Sequence, residues 1–240
     1  MAETLAFVIH QRPFHDNDAI INLLTEKYGL LSVLAKGSRG QSYQSQQLRA
    51  CLQPATLLEI DIRLSSNSLC RLDFAESISV TPPLNNLSFI YISYINEIVR
   101  LFLNEQIPLS DVFLSYRHCV IAILKGEEQE LAFRALELAL IKSSRIGLSF
   151  EVDANAHCID ASAMYQLDIE QGFNNLATSK QHATGFTCQG DFIQRLALNI
   201  TTAEDNIALK QLFQRIKDYL YPTHTLKSRE LYQSWKQVTR

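Results

Sequence analysis

The spacing of hydrophobic residues changes once along the chain, at Thr81-Pro82-Pro83, and this change constrains the fold more than any other feature. Before it, residues 58–64 alternate between apolar and polar side chains, which is typical of a strand with one buried face. After it, apolar residues between positions 87 and 102 recur every three or four positions and mark one face of a helix. The sequence therefore predicts a β-rich domain over residues 1–80 and a helical domain over residues 81–240.

Five short apolar runs in the first domain, separated by turn-forming residues, predict five strands. Five strands without long helices between them favour a small closed barrel over a parallel α/β sheet. Residues 41–53 are polar and rich in glutamine, then carry Leu48 and Leu52 at helical spacing, so we expect a mobile loop that leads into a short helix. The five runs are residues 5–9, 19–24, 30–35, 58–64 and 69–75.

The second domain is expected to contain five helices and an irregular insert. Pro108 should end the first helix, and Ser110 and Ser228 are candidate N-caps for later ones. Residues 127–145 are apolar nearly all round, which indicates a central buried helix. Residues of about 150–192 lose periodicity and are rich in small polar residues, so we expect a loop-rich insert with a short hairpin. Thr201-x-x-Glu204 forms a capping-box pattern before the next helix.

Motifs of common enzyme classes are absent from the sequence. It contains no glycine-rich nucleotide loop, no Gly-x-Ser-x-Gly and no His-Glu-x-x-His, and its six histidines share no spacing. We therefore expect no catalytic residues and no cofactor. The cysteine number is odd and the spacing wide, no signal peptide is visible, and no apolar stretch is long enough for a membrane span, which together favour a cytoplasmic protein.

A zinc site would be expected in the irregular insert, where His157, Cys158 and Cys188 lie. Structural zinc needs four nitrogen or sulfur ligands, usually in two close pairs. Here His157 and Cys158 are adjacent, and Cys188 has no cysteine or histidine within four residues. We therefore predict no metal site, and interpret the two cysteines as small packed residues.

Cations cluster locally although the net charge is −3. Four cations and no acid occur between Lys27 and Arg49, and seven cations face two acids from Lys210 to Arg240. Aromatic residues lie near both clusters, and nucleic-acid binding uses cations for phosphates and rings for unpaired bases. A solvated charged face explains the composition equally well.

Several motifs, in this order along nearly the whole chain, resemble the RecO family of recombination mediators. The most specific are A-K-G-S-R at residues 35–39 and L-K-S-R-E-L at residues 226–231. The others are residues 7–13, 29–34, 52–58, 94–97 and 136–140. The resemblance implies an α+β chain, with an N-terminal OB-fold β-barrel followed by an all-helical domain. It also implies that the insert is a degenerate zinc module, because Ala161 and Asp191 stand where relatives have the second cysteine of each pair.

The resemblance further implies a non-enzymatic, nucleoid-associated protein of DNA repair. Such a protein binds single- and double-stranded DNA, anneals complementary strands and assists loading of RecA onto DNA covered by single-strand-binding protein. Its partners are RecR, the C-terminal tail of single-strand-binding protein and, indirectly, RecA. An adaptor whose OB-fold contacts protein rather than DNA is the alternative, and an enzyme acting on nucleic acid is disfavoured by the missing motifs.

The residues that carry these roles follow from the same resemblance. Lys36 and Arg39 are the first candidates for DNA contacts, and Arg12 and Arg49 are weaker ones. Many relatives have further cations where this chain has residues 41–47, so we expect weaker and less salt-sensitive DNA binding. The candidates for binding the acidic tail of single-strand-binding protein are Arg134, Lys217, Lys227 and Arg229.

Overall fold

The computed structural model describes residues 2–65, 69–78, 83–103, 107–144, 146–177 and 185–239. These residues group into two compact units, one formed by Met1–Glu127 with Leu226–Arg240 and the other by Glu128–Thr225. Thr81 and Pro82, at the predicted domain boundary, lie outside the described residues. No helix in the described ranges is long and apolar enough to cross a membrane.

The first unit contains a closed five-stranded barrel, which confirms the expected OB-fold. Its strands follow the order β1-β2-β3-β5-β4, and β4 pairs with β1 to close the barrel. The β3–β5 pairing is parallel and the other four are antiparallel. The strands are β1 (Ala2–Phe14), β2 (Asp18–Thr25), β3 (Gly29–Ala35), β4 (Leu57–Arg63) and β5 (Leu69–Ser77).

The alternation of apolar and polar residues along the strands places the apolar side chains inside the barrel. In β4, Leu58, Ile60 and Ile62 are fully buried, whereas Glu59 and Arg63 on the other face are exposed. Leu64, the last residue of the predicted alternation, lies beyond the strand and is half exposed. The inward residues from all five strands pack into one core.

Helix α1 (Tyr43–Cys51) occupies most of the segment for which a mobile loop was expected, so that expectation is wrong there. The Ser42 side chain accepts a hydrogen bond from the backbone N–H of Ser45 at 3.2 Å and caps the helix. Leu48 packs against the barrel core and Leu52 is part of it, as their helical spacing predicted. The cap and this apolar face stabilise a helix despite the glutamines.

Two further helices pack against the outside of β1. They are α2 (Asn86–Phe102) and α3 (Ser110–Lys125). Phe7, which points out of the barrel, has its ring centroid 5.7 Å from that of Phe113 and 5.1 Å from that of Tyr116. The Tyr116 hydroxyl donates to Asn96 Oδ1 at 2.6 Å, so the buried polar groups between these helices are paired.

The ends of these helices differ from the predicted ones. α2 ends at Phe102 rather than at Pro108, and Leu109 rather than Ser110 occupies the N-cap of α3. Helix ends are set by which backbone groups find partners, and proline only limits how far a helix can extend.

The C-terminal helix α7 (Lys227–Val238) is capped by a residue from α2. Glu97 accepts hydrogen bonds from the backbone N–H groups of Lys227 and Ser228, at 2.9 and 3.0 Å, and from the Ser228 hydroxyl at 2.6 Å. Ser228 lies in the first turn of the helix and Leu226 is at the N-cap, so the prediction that Ser228 caps this helix is wrong. A carboxylate at this end also suits the helix dipole.

In its described residues, the second unit combines three helices with a small sheet. Residues 136–141 of α4 (Gln129–Ser143) are all buried, which confirms the predicted central helix. The described part of the insert contains the expected hairpin and a third strand that was not predicted, and an unpredicted helix begins at its end. The remaining elements are β6 (Met164–Asp168), β7 (Gly172–Asn175), β8 (Thr187–Gln189), α5 (Gly190–Ala197) and α6 (Asn206–Leu220).

Asp205, the N-cap of α6, forms hydrogen bonds with Thr202 and Arg195. The predicted capping box, Thr201 with Glu204, is therefore shifted by one residue. The Asp205 carboxylate accepts from Arg195 Nη2 at 2.6 Å and from the Thr202 hydroxyl at 2.8 Å. Burial alone would raise the pKa of Asp205, but the bonds from Arg195 and Thr202 outweigh it and hold this pKa below its ordinary value.

Replacing Ile60 by alanine should lower the free energy of unfolding by about 2–5 kcal/mol, because this side chain is fully buried in the barrel. Urea denaturation followed by circular dichroism measures the change. Glu59→Ala on the exposed face of the same strand is the control, with an expected change of about 0.5 kcal/mol or less. Equal effects of the two substitutions would contradict the described register.

Asp205→Asn should cost roughly 1–3 kcal/mol of unfolding free energy at pH 7, because it removes the charged acceptor of Arg195. Since the folded-state pKa is depressed, this stabilisation is fully present above the unfolded pKa of about 3.9 and is lost as the pH falls through the folded pKa. In denaturant titrations, the difference between wild type and variant should therefore be constant near neutral pH and shrink as the pH falls below about 4. The control is Asp191→Asn, which removes a more exposed partner of Arg195 and should lower the unfolding free energy by less. If the effect of Asp205→Asn did not depend on pH, the charge of Asp205 would not be the source of the stabilisation.

Candidate nucleic-acid interface

The A-K-G-S-R segment forms a fixed turn between β3 and α1. Gly37 adopts a left-handed conformation with φ of 67°, and its N–H donates to Asp18 Oδ1 at 2.8 Å. The buried Ser38 hydroxyl donates to the carbonyl of Ala35 at 3.0 Å. The turn is therefore held by hydrogen bonds of its backbone and of the buried Ser38, whereas the side chains of Lys36 and Arg39 are exposed.

Arg49, in the last turn of α1, ties the helix to this turn. Its Nη2 donates to the carbonyl of Gly40 at 2.7 Å and its Nε donates to that of Ser38 at 3.3 Å. The backbone N–H of Arg39 donates to the carbonyl of Asn17 at 2.9 Å, which links the turn to the β1–β2 hairpin. These bonds fix the Arg49 side chain and the Arg39 backbone relative to the end of the barrel.

The turn, the hairpin and α1 enclose a groove of about 460 Å³, here called the arginine groove. It brings together Arg12, Arg39 and Arg49, three of the four predicted DNA contacts, whereas Lys36 is on the same turn but outside the lining. No acid is among the lining residues, and within the described ranges none of these four cations forms an ion pair. The lining consists of Gln11, Arg12, Pro13, Ala19, Ser38, Arg39, Arg49 and Leu52.

Sequence reasoning missed the neutral part of this lining. Gln11, Pro13 and Leu52 carry no charge or motif that marks a binding site, and only the closure of the barrel places them beside the arginines. His10, next to Gln11, does not add a charge to the groove at neutral pH. Partial burial lowers its pKa, and the positive charges of Arg100 and Arg12 lower it further.

The four candidates for a partner's acidic tail have different environments. Arg134 is buried and lies 2.7 Å from Glu137 Oε2. Lys217 is also buried, with its Nζ 2.6 Å from Asp218 Oδ1. Arg134 and Lys217 belong to the second unit and are largely shielded from solvent.

Lys227 and Arg229 belong to the first unit, in the opening turn of α7, and both are exposed. These two side chains present their charge to solvent, and the assignment of all four residues stays a prediction.

The described residues of the insert do not bring a set of zinc ligands together. Cys158 is exposed, whereas Cys188 is buried, and burial together with the charge of Asp191 raises the pKa of its thiol to about 12. At the two positions that lack cysteines, the Asp191 N–H donates to the carbonyl of Ala161 at 3.0 Å. In the part of the chain that the structure describes, no three His, Cys, Asp or Glu side chains lie together as a metal site would need.

Comparison with known proteins gives a consistent result. The family described as "Recombination protein O N terminal" matches residues 1–81, which include the barrel. The DNA repair protein RecO of Vibrio atlanticus (strain LGP32) is 30% identical over 230 residues, which cover 94% of this chain and 91% of the relative. RecO of Enterobacter sp. (strain 638) is 29% identical over 234 residues, or 96% of each chain. RecO of Xylella fastidiosa (strain M23) is 28% identical over 179 residues, 75% of this chain and 72% of the relative.

Proposed function

Because the chain belongs to the RecO family of DNA repair proteins, we propose that it binds DNA through the arginine groove of its barrel. One observation carries the proposal. Arg12, Arg39 and Arg49 come from three separate segments of the chain, yet they line one groove that no acid lines. No carboxylate neutralises these guanidinium groups in the described residues, so their positive charge is available, and guanidinium groups match the charge and geometry of phosphate groups.

The fold supports a single strand as the preferred ligand. OB-folds bind oligonucleotides with one face of the barrel and the adjoining loops, along a groove that is positively charged. The arginine groove lies between the β1–β2 hairpin and the β3–α1 turn, and Lys36 extends from that turn as a further cation for the neighbouring phosphate.

We also propose the finer roles that the family resemblance implies. The protein anneals complementary strands, since cations that neutralise phosphates reduce the repulsion between two strands. It assists RecA loading onto DNA covered by single-strand-binding protein, in the cytoplasm at the nucleoid, with RecR as a partner and without covalent chemistry. The exposed Lys227 and Arg229 are the more accessible candidates for the acidic tail of single-strand-binding protein.

The domain division belongs to the same proposal. Residues 1–80 would form the DNA-binding domain, and residues 81–240 the helical domain that receives protein partners. The barrel and the arginine groove lie within the first of these ranges.

The double variant Arg12→Ala/Arg39→Ala should bind a single-stranded oligonucleotide at least about tenfold more weakly near 100 mM salt. The plot of log affinity against log salt should become shallower by about 1.4, since each lost phosphate contact on a single strand contributes about 0.7. Fluorescence anisotropy at several salt concentrations measures both quantities. The control is Arg63→Ala/Arg71→Ala, which removes two arginines from the same barrel that are already paired with Asp73.

Equal losses in the two double variants would refute the assigned groove, because only the overall charge would then matter. If the wild type has negligible DNA affinity at low salt but binds RecR or single-strand-binding protein, the barrel is a protein adaptor instead.

A further inference from the structure

We infer that the arginine groove holds one unpaired nucleotide of a single strand, with the base inside the groove and a phosphate on the arginines. This inference rests on the proposed function and deepens it. The groove volume of about 460 Å³ falls within the range of roughly 300–1,000 Å³ that is typical of sites for small organic ligands. A surface that binds only the sugar–phosphate backbone needs cations, not a concave groove of this volume.

The chemistry of the lining points to a base as well as a phosphate. Beside the three arginines, the groove is lined by Pro13, Ala19 and Leu52, which are apolar. An apolar wall contributes nothing to phosphate binding, because it removes water from a charged group without replacing its hydrogen bonds. A nucleobase has apolar faces that such a wall accommodates, and guanidinium planes can stack on those faces.

Gln11 supplies a neutral polar group to the same lining. Its amide has both a donor and an acceptor, so it can form a hydrogen bond with the edge of any of the four bases. Ser38, the other neutral polar residue of the lining, already donates its hydroxyl hydrogen to the carbonyl of Ala35. With so few neutral polar groups, the site is expected to hold a base with little sequence preference, as suits a protein that acts on arbitrary single strands.

The groove is preformed, which lowers the cost of binding. The backbone of the turn is fixed by the bonds of Gly37 and Ser38, and Arg49 is fixed by two carbonyl groups. A Cβ on Gly40 would lie 2.7 Å from Ser45 Oγ and 3.2 Å from the Gly37 carbonyl oxygen, so this residue allows the close approach of α1 to the turn. Groups already held in place lose little entropy when a ligand arrives.

The consequence for specificity is a preference for single strands. A paired base in a duplex can enter the groove only after unpairing and unstacking, which costs a few kcal/mol. Double-stranded DNA would therefore contact the arginines through phosphates alone.

The test compares a thymidine oligonucleotide with a strand of equal length made entirely of abasic nucleotides, so that the number of phosphates is constant. The wild-type protein should bind the thymidine strand at least about fivefold more tightly, the lower end of the effect of one stacked base. Ala19→Leu, which enlarges a buried side chain of the lining without a change of charge, should reduce this ratio towards one. Gln11→Ala is a second variant, at an exposed position where folding is not in question, and should also reduce the ratio.

Gln44→Ala, which removes an exposed amide on α1 outside the groove lining, is the control and should leave the ratio unchanged. Thymidine 5′-monophosphate, which carries a base, should compete against the thymidine strand better than deoxyribose 5-phosphate, which carries none. A thymidine strand that binds no more tightly than the monophosphate would assign the site to free nucleotides and overturn the inference.

Equal wild-type affinity for the thymidine and abasic strands would overturn the nucleotide pocket but leave the proposed DNA-binding function standing. A ratio that both groove variants leave unchanged would place base recognition elsewhere and also overturn the inference. If neither strand binds, or if Arg12→Ala/Arg39→Ala has no effect on either, the proposed function itself fails.

Discussion

The alternating strands of this chain bury a common core because their sheet closes into a barrel, and closure determines where the groove forms. In this barrel the neighbour of β3 is β5, which runs parallel to it, and β4 lies on the far side of β5. A hairpin therefore cannot connect β3 to β4, the strand that follows it in the chain. The chain crosses the end of the barrel through the β3–α1 turn and α1 before β4 begins. The arginine groove is a product of that crossing, since the turn carries Arg39 and the last turn of α1 carries Arg49.

The elements that local periodicity encodes were predictable, and those that depend on distant partners were not. All five barrel strands and the five expected helices are present, because alternation and helical spacing are properties of neighbouring residues. β8 and α5 were missed because they are short and gain their order from pairing with β6 and from the packing of the insert. The cap of α7 was missed because Glu97 is 131 residues away from Ser228.

The candidate site divides in the same way. Charge and family resemblance selected Arg12, Arg39 and Arg49, but the convergence of these residues in one groove depends on barrel closure. Charge alone does not distinguish an available cation from a structural one. Arg134 and Arg39 are both plain cations in the sequence, yet the first is buried beside Glu137 and the second is exposed without an ion pair in the described residues.

The hydrogen bonds from α7 to Glu97 make the second unit an insertion in the chain of the first. The chain leaves the first unit after Glu127 and returns at Leu226, where Glu97 holds the returning segment by three hydrogen bonds. A protease cut between residues 128 and 225 would therefore leave two fragments that remain associated, since α7 stays attached to α2 by non-covalent contacts.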